Sequence, residues 1–409
     1  MIRQTTQQPM FGFTGTNGKT TAVLLTGFIL SRCKLSPAVL DTWKGNISFS
    51  RFLQQAATAG SDCLLVEVPV DALRLKHLTG DSFAGAALTN LSLDHLKSCR
   101  TQKHYTAIKA AFFAQLPAGA KVFINADDPQ ALSLAEEGHV EYLTYAVRYP
   151  KAMIVADNLQ RKNMSYTFDL TVKADFSGFG GTTVVPGSAQ VRLRMTGLHN
   201  VANALLAAAV ALLFVPDVAE VARALSAFPG MRRNMEIIKV GGFTLVDDAA
   251  TNPAALAAAL KAADTLPAAR ILLLHGLYGG GGQVLNRCNA LELAAWSKKH
   301  PGSRLFVTRS LYHCRKKHQV QLHEEKAFFQ ALQETGTEFA YFPDLPDAAS
   351  SLLSHAAPGD LLFLLGGPVL NRAQEILLRA AGSGAANLLH HYADRPAESN
   401  AQALFPNPT

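Results

Sequence analysis

Short apolar runs alternate with segments of helical periodicity over the first 150 residues of the chain. The apolar runs predict buried strands at 10–13, 36–40, 63–68, 84–90 and 121–125. Helices are predicted between them, at 22–32, 50–57, 71–78 and 105–113. Strands that alternate with helices in this way are typical of an α/β fold with a mostly parallel sheet.

The pattern changes between residues 150 and 195, where polar and apolar residues alternate with a period of two. This period predicts antiparallel strands, which we interpret as a small β appendage on the first domain. An alanine-rich helix follows at 197–213, and the Pro-Gly pair at 229–230 predicts a domain junction. Beyond it the α/β alternation restarts with predicted strands near 243, 271, 305 and 360, and helices at 254–263 and 371–381.

The sequence is therefore expected to form two domains and a tail. The first covers 1–228, a second, Rossmann-like α/β domain covers 229–385, and 386–409 is a loose tail without periodicity. A strand near 271 leads into four consecutive glycines at 279–282. This loop is interpreted either as a mobile loop facing a cleft or as a plain surface loop.

The amino-acid composition is that of a globular protein. Among the 409 residues, 48% are hydrophobic and 17% charged, as in globular proteins, and the net charge of +7 favours small anionic substrates. No nucleic-acid motif, signal-peptide core or membrane-spanning run is found, so no nucleic acid or membrane partner is expected. The cysteines lack C-x-x-C spacing, which favours reduced thiols and a cytoplasmic protein. His313, Cys314 and His318 could form a metal cluster, but the basic run beside them favours an exposed helix or loop.

The segment from residue 11 to residue 21, FGFTGTNGKTT, joins the first predicted strand to the first helix. Gly15 and Gly18 let the backbone come close to a ligand, and the helix start favours an anion. Lys19 supplies a positive charge for outer phosphates, and Thr20 or Thr21 a hydroxyl for Mg²⁺. A phenylalanine stands where the general P-loop pattern has its first glycine. The plainer alternative is a glycine turn with a surface lysine.

Three titratable residues lie after this loop at positions where a catalytic or ligand-binding role is expected. Glu67 is near the end of the third strand, His95 follows the fourth, and Lys109 interrupts an apolar helix. Ligands of open α/β sheets bind at the carboxyl ends of the strands, and a buried carboxylate there needs a cation nearby. The plainer interpretations are that Glu67 caps the next helix, that His95 is a surface residue and that Lys109 reaches solvent.

Three motifs precede the arginines at 232–233 in the chain: TGTNGKTT at 14–21, TNLSLDH at 89–95 and GLHNVAN at 197–203. Together with Glu67 and Lys109 they resemble the Mur ligase superfamily over about residues 10–382. The resemblance implies ATP and Mg²⁺ as cofactors. It also implies an amide made from a carboxylate and an amine through an acyl phosphate, giving ADP and phosphate.

The same resemblance implies roles for individual residues. The residues expected to be catalytic are Lys19, His95, Lys109 and Arg233. The residues expected to bind metal are Thr20, Glu67, His95 and Lys109, the last as a carbamate. The nucleotide is expected to contact Gly15, Thr16, Asn17, Gly18, Lys19, Thr20, Thr21, Asn90, Asn200, Asn203, Arg233, Asp247 and Asp248. Arg232 remains an alternative to Arg233, either aspartate can match the family, and Asn200 is also interpreted as a helix N-cap.

The position of the phosphate loop in the chain bears on the substrates. Peptidoglycan members of the superfamily carry a UDP-binding domain before their phosphate loop, which here falls within the first residues. We therefore expect small carboxylate and amine substrates, the acid not being UDP-linked. The alternatives are an intramolecular lactam-forming or tetrapyrrole-type amide synthetase, or a non-catalytic ATP-binding subunit, to which Ala249 in place of a usual contact residue would point.

Overall fold

The computed structural model describes residues 8–41, 46–92, 101–135, 139–240 and 242–381. They form two compact units, which meet in the chain at Pro229 and Gly230. His95 and the tail expected at 386–409 lie outside the described residues. None of the described helices is both long enough and apolar enough to cross a membrane.

The first unit is built on a nine-stranded sheet. Its strands are β1 Met10–Thr14, β2 Pro37–Leu40, β3 Cys63–Glu67, β4 Gly85–Leu88, β5 Lys121–Asn125, β6 Glu141–Ala146, β7 Ile154–Lys162, β8 Ser165–Val172 and β11 Gly187–Leu193, with β9 Phe176–Ser177 and β10 Thr183–Val184 pairing apart. The order across the sheet is β11-β8-β7-β6-β5-β4-β1-β3-β2. From β2 to β7 every neighbouring pair is parallel. The predicted α/β fold with a mostly parallel sheet is confirmed.

Antiparallel strands predicted at 150–195 extend the main sheet. β7 and β8 are antiparallel, as are β8 and β11, but β7 pairs with β6 and so extends the main sheet. The alternating burial along β8 explains the period of two, because one face of this strand is covered and the other is partly open. The expected appendage is therefore continuous with the sheet.

The helices of the first unit are α1 Lys19–Arg32, α2 Asn46–Thr58, α3 Val70–Arg74, α4 Gln102–Ala114, α5 Pro129–Leu132, α6 Leu198–Leu212 and α7 Val218–Ser226. Helix α1 packs against α6, which is buried along nearly its whole length. The small alanine side chains of α6 allow this close packing. The helix that follows the phosphate loop is thus held by a rigid neighbour.

The second unit contains a six-stranded sheet. Its strands are β12 Glu236–Val240, β13 Phe243–Asp248, β14 Ile271–Gly276, β15 Arg304–Thr308, β16 Ala340–Phe342 and β17 Leu361–Leu365, in the order β12-β13-β17-β14-β15-β16. Only β12 pairs antiparallel. The helices are α8 Pro253–Ala263, α9 Gln283–Lys299, α10 Leu322–Glu334, α11 Leu345–Ser354 and α12 Ala373–Ala380. The order of the strands reverses between β14 and β17, although the two strands are parallel, and α/β sheets of this type bind ligands at such a point.

Candidate nucleotide-binding site

The phosphate loop joins the end of β1 to the start of α1. Gly18 is the N-cap of α1, and no side chain of the described residues caps this helix end. No acidic residue lies in the first turn of α1. The N–H groups at this helix start and the positive end of the helix dipole favour an anion, and binding of phosphates by this loop stays a prediction.

Two glycines give the loop its shape. Gly15 has φ of 138° and Gly18 has φ of 82°, which side-chain-bearing residues rarely adopt. A Cβ atom at Gly15 would overlap the hydroxyl of Thr89, and one at Gly18 would overlap the amide oxygen of Asn203. The loop is pressed against the ends of β4 and α6, so both positions require glycine.

Side chains following β4 fix the middle of the loop. The Asn17 backbone N–H donates to Asn90 Oδ1 at 3.0 Å, and Asn90 Nδ2 donates to the Asn17 carbonyl at 2.9 Å. The Thr89 hydroxyl donates to the same carbonyl at 2.6 Å. Asn90, predicted as a nucleotide contact, is thus a residue that holds the phosphate loop.

Glu67 lies beside the first turn of α1. The Thr20 hydroxyl donates to Glu67 Oε2 at 2.6 Å, and Lys19 Nζ is 3.9 Å from Glu67 Oε1. Burial raises the pKa of Glu67, while Lys19 and the Thr20 hydrogen bond lower it. The cation expected beside this carboxylate is therefore Lys19. The alternative that Glu67 caps the next helix is wrong, because α3 begins after Pro69 without a side-chain cap.

The oxygen atoms of Thr20 and Glu67 suit Mg²⁺. This ion keeps several water ligands and is usually bound by one or two carboxylates together with phosphate oxygens. Among the described residues no group of three His, Cys, Asp or Glu side chains could hold a metal. One carboxylate and one hydroxyl next to a phosphate loop are nevertheless a donor set that fits Mg²⁺.

Lys109 is fully buried beneath the phosphate loop, so its interpretation as a surface lysine is wrong. Its Nζ donates to Thr14 Oγ1 at 2.8 Å and to the Gly15 carbonyl at 3.2 Å, and lies 4.8 Å from the centre of the Tyr105 ring. Lys109 also acts on Glu67, whose pKa its positive charge lowers. Lys109 and Glu67 therefore belong to one electrostatic cluster.

The asparagines of the GLHNVAN motif lie at the start of α6. Asn200 is not the N-cap, because α6 begins at Leu198 with Gly197 in that position. Its Nδ2 instead donates to the Thr196 carbonyl at 2.8 Å inside the first turn. Asn203, one turn later, contacts Gly18. The structure thus brings Asn203 to the phosphate loop and gives Asn200 a local structural bond.

The predicted residues of the second unit form a buried network of their own. Arg233 Nε lies 3.2 Å from Asp247 Oδ1, and its remaining nitrogens donate to the carbonyls of Gly366 and Gly367 and to Asn371. Burial raises the pKa of Asp247 to about 7, with Arg233 opposing the shift.

Asp248 has a separate role in the same unit. It accepts hydrogen bonds from the N–H groups of Met235 and Ala250, at 3.0 and 2.9 Å. Burial raises its pKa to about 6, and these two bonds oppose the shift. Both aspartates and Arg233 thus hold the start of the second unit together.

The metal alternative at His313 is not borne out among the described residues. His313 pairs with Asp344 at 2.9 Å, and the neighbouring residues 315–317 are exposed. Tyr105 also belongs to the site, although it was not predicted as a site residue. Its hydroxyl lies 3.1 Å from the Thr16 hydroxyl and donates to the Gly15 carbonyl. Its spacing of four residues from Lys109 was a usable signal, because residues four apart share a helix face.

Two family models match the chain. The Mur ligase middle domain covers residues 13–211, and the Mur ligase glutamate ligase domain covers residues 232–367. A similar curated protein is the UDP-N-acetylmuramate–L-alanine ligase of Acetivibrio thermocellus, 23% identical over 89% of this chain and 73% of the relative. Another is the UDP-N-acetylmuramoyl-L-alanyl-D-glutamate–2,6-diaminopimelate ligase of Synechocystis sp., 31% identical over 66% of this chain and 55% of the relative.

Solved structures agree on the fold. MurF from Acinetobacter baumannii superposes with a TM-score of 0.71 at 16% identity, over 92% of this chain and 77% of that one. A pseudomurein peptide ligase type C from Methanothermus fervidus gives 0.65 at 19% identity, over 91% and 79%. The MurF ligase of Thermotoga maritima, solved in complex with ADP, gives 0.67 at 16% identity, over 91% and 80%. The chain therefore belongs to the Mur ligase family, whose members use ATP and Mg²⁺ to form C–N bonds.

Proposed function

We propose that this protein joins a carboxylate to an amine at the expense of ATP, releasing ADP and phosphate. The observation that carries the proposal is the group formed by Lys19, Thr20 and Glu67 at the N-terminus of α1. A carboxylate and a hydroxyl beside a phosphate loop serve a nucleotide with a divalent cation better than they serve a purely structural turn.

Activation of the acid uses the first unit. The loop N–H groups hold the inner phosphates, and Lys19 leaves the Thr16 carbonyl, 2.8 Å away, to reach the outer ones. A substrate carboxylate oxygen attacks the γ-phosphorus of ATP, so ADP leaves and an acyl phosphate forms. Thr20 and Glu67 would hold Mg²⁺, whose positive charge would offset the crowded phosphate oxygens.

Lys109 is proposed to act as a carbamate together with His95. The support is its complete burial, because burial favours the neutral amine, and a neutral amine can add CO₂. Carbamylation would replace a cation by an anion with oxygen ligands, the type that Mg²⁺ prefers. It would also require Lys109 to give up its bonds to Thr14 and Gly15.

The arginine that meets the γ-phosphate is proposed to be Arg232. Arg233 is committed to Asp247 and to three groups near β17, so moving it would leave a buried carboxylate without its cation. Arg232 precedes it and is partly exposed. Arg233, the residue that the sequence favoured, then serves to order the junction.

The second half of the reaction is proposed to use the C-terminal unit. There the amine attacks the acyl carbon, and phosphate leaves as the C–O bond breaks. Exclusion of water protects the acyl phosphate from hydrolysis. Most of the rate enhancement comes from positioning and electrostatics, so no side-chain nucleophile is needed.

The expectation that the acid is not UDP-linked stays a prediction. The names of the similar ligases describe UDP-N-acetylmuramoyl acids, which makes a UDP-linked acid the alternative. ADP formation is measured with a panel of carboxylates and amines that includes UDP-linked muramoyl acids, and the acids that are turned over show whether the substrate is UDP-linked. Turnover of a UDP-linked member alone would contradict the expectation.

Chromatography of the nucleotide products tests the proposal. ADP and phosphate should form only when an acid and an amine are both present, and Lys19→Ala should abolish their formation while the protein stays folded. Lys103→Ala is the matched control, because Lys103 is an exposed lysine of the same unit. AMP and pyrophosphate formed in step with the amide would overturn the proposal.

A further inference from the structure

The loop of four glycines in the second unit is not a free surface loop. It follows His275 and Gly276 at the end of β14 and leads into α9. The Gly279 N–H donates to the His318 carbonyl at 3.0 Å, and a Cβ atom at Gly279 would overlap the Gln319 carbonyl. Asn286 Nδ2 donates back to the carbonyls of Tyr278 and Gly282. Backbone and side chains thus fasten the loop at both ends.

The centre of the loop is bound to a carboxylate from the same chain. Glu324, 1% exposed, accepts from the Gly282 N–H at 2.7 Å and from the Gly280 N–H at 3.1 Å. A third N–H, that of Gln321, donates to its second oxygen at 2.9 Å. Since Gly282 is the N-cap of α9, Glu324 occupies the position in which helix N-termini hold external anions.

Buried acceptor atoms lie on the two elements that this loop joins, β14 and α9. His275 Nδ1 is bonded to the Leu365 carbonyl at 2.9 Å, so the ring donates there and its Nε2 is an acceptor. Within the described part of the chain, His275 Nε2, Asn286 Oδ1 and Asn289 Oδ1 are buried without a hydrogen bond. They lie around the point where the order of the strands reverses, between β14 and β17. Acceptors of this kind suit a ligand with N–H donors.

We propose that Glu324 is a positioning residue for the amine half of the reaction. Its carboxylate holds the glycine loop in the shape that aligns Asn286, whose amide bonds the carbonyls of Tyr278 and Gly282 in the loop and whose Oδ1 is left to accept from the amine. The inference rests on the proposed function, which gives the amine to the C-terminal unit. It adds a residue on α10 that binds no substrate and acts only through the loop.

Helix α10 offers a matched control. Glu325 is adjacent to Glu324 and also buried, but it bonds Tyr341 and Arg309 rather than the loop. Glu324→Gln and Glu325→Gln therefore remove the same charge from the same helix turn. Hydrogen exchange of residues 278–284 in the full-length protein should become at least roughly tenfold faster in Glu324→Gln, since the neutral amide oxygen accepts more weakly than a carboxylate and the new NH₂ group cannot accept an N–H at all. In Glu325→Gln it should stay as in the wild type.

Kinetics test the link to the reaction. Glu324→Gln should raise KM for the amine by roughly tenfold, with little change in KM for ATP, because the acid is activated by the first unit. Glu324→Ala should regain loop protection and a low amine KM when formate is added, since formate can enter the vacated space. Glu324→Asp, which keeps the charge, is the second variant should the others fail to fold, and it should retain part of the protection.

The outcomes separate the two claims. Unchanged loop exchange in Glu324→Gln, or loss of protection equal to that in Glu325→Gln, overturns the positioning role whatever the enzyme makes. Faster exchange with an unchanged amine KM refutes the link to the amine. A wild-type protein that forms no ADP with any acid and amine refutes the proposed function, while the exchange experiment still reports on Glu324.

Discussion

Replacing Gly18 by alanine tests the geometry of the phosphate loop. At φ of 82° an L-residue pays about 1 kcal/mol for the left-handed conformation. The new methyl group also overlaps the amide of Asn203 on a buried helix, and such overpacking adds about 1–3 kcal/mol. Gly18→Ala should therefore lower the free energy of unfolding by about 2–4 kcal/mol.

Gly60→Ala is the control for the backbone contribution. Gly60 has φ of 64° in the same unit, and nothing lies within 4 Å of an added Cβ atom. This variant should lose only about 1 kcal/mol. The difference between the two variants, read from urea unfolding, isolates the clash with Asn203.

Binding of ADP completes this test. Gly18→Ala moves the loop away from Asn203, so calorimetry should show ADP binding weakened by roughly tenfold or more, whereas Gly60→Ala binds as the wild type does. Adding Asn203→Ala to Gly18→Ala should recover part of the lost stability but not the backbone cost. Equal stability of the two glycine variants, with unchanged ADP affinity, would refute the assigned loop geometry.

Two further predictions concern the second unit. Burial lowers the pKa of His275 from 6.5 to about 4, so between these values the unfolded chain takes up a proton that the folded protein does not. Stability should fall by up to about 3 kcal/mol as the pH drops through this window, and urea unfolding of His275→Gln should show a shallower loss. Arg233→Gln should cost about 3 kcal/mol or more because Asp247 loses its buried partner, whereas Arg232→Gln, at a partly exposed position, should lower the free energy of unfolding by less than Arg233→Gln does yet slow ADP formation.

The sequence predicted those features that local rules determine. Apolar runs at helical or strand length and the spacing of Gly15 and Gly18 are local, and the structure has a strand, a loop and a helix there. A cation beside Glu67 was expected from the cost of an isolated buried charge and from the position of strand ends, and the structure places Lys19 there.

What the sequence could not predict depends on contacts between distant segments. The strand β7 continues the main sheet because it pairs with β6, and the alternating pattern carries no record of its neighbour. Arg233 was favoured as a phosphate ligand, but three of the groups that its guanidinium bonds, at Gly366, Gly367 and Asn371, lie more than 130 residues away in the chain. No motif in the sequence marks Glu324, since its role depends on where α10 meets the glycine loop.

Isotope transfer tests the central claim most directly. The acid that supports ADP formation is labelled with ¹⁸O in its carboxylate and incubated with the protein, ATP, Mg²⁺ and the amine. Reaction through an acyl phosphate predicts that one labelled oxygen appears in inorganic phosphate for each amide formed, because the C–O bond breaks when the amine attacks. Amide formation with phosphate free of label, or with label in AMP, would contradict the account.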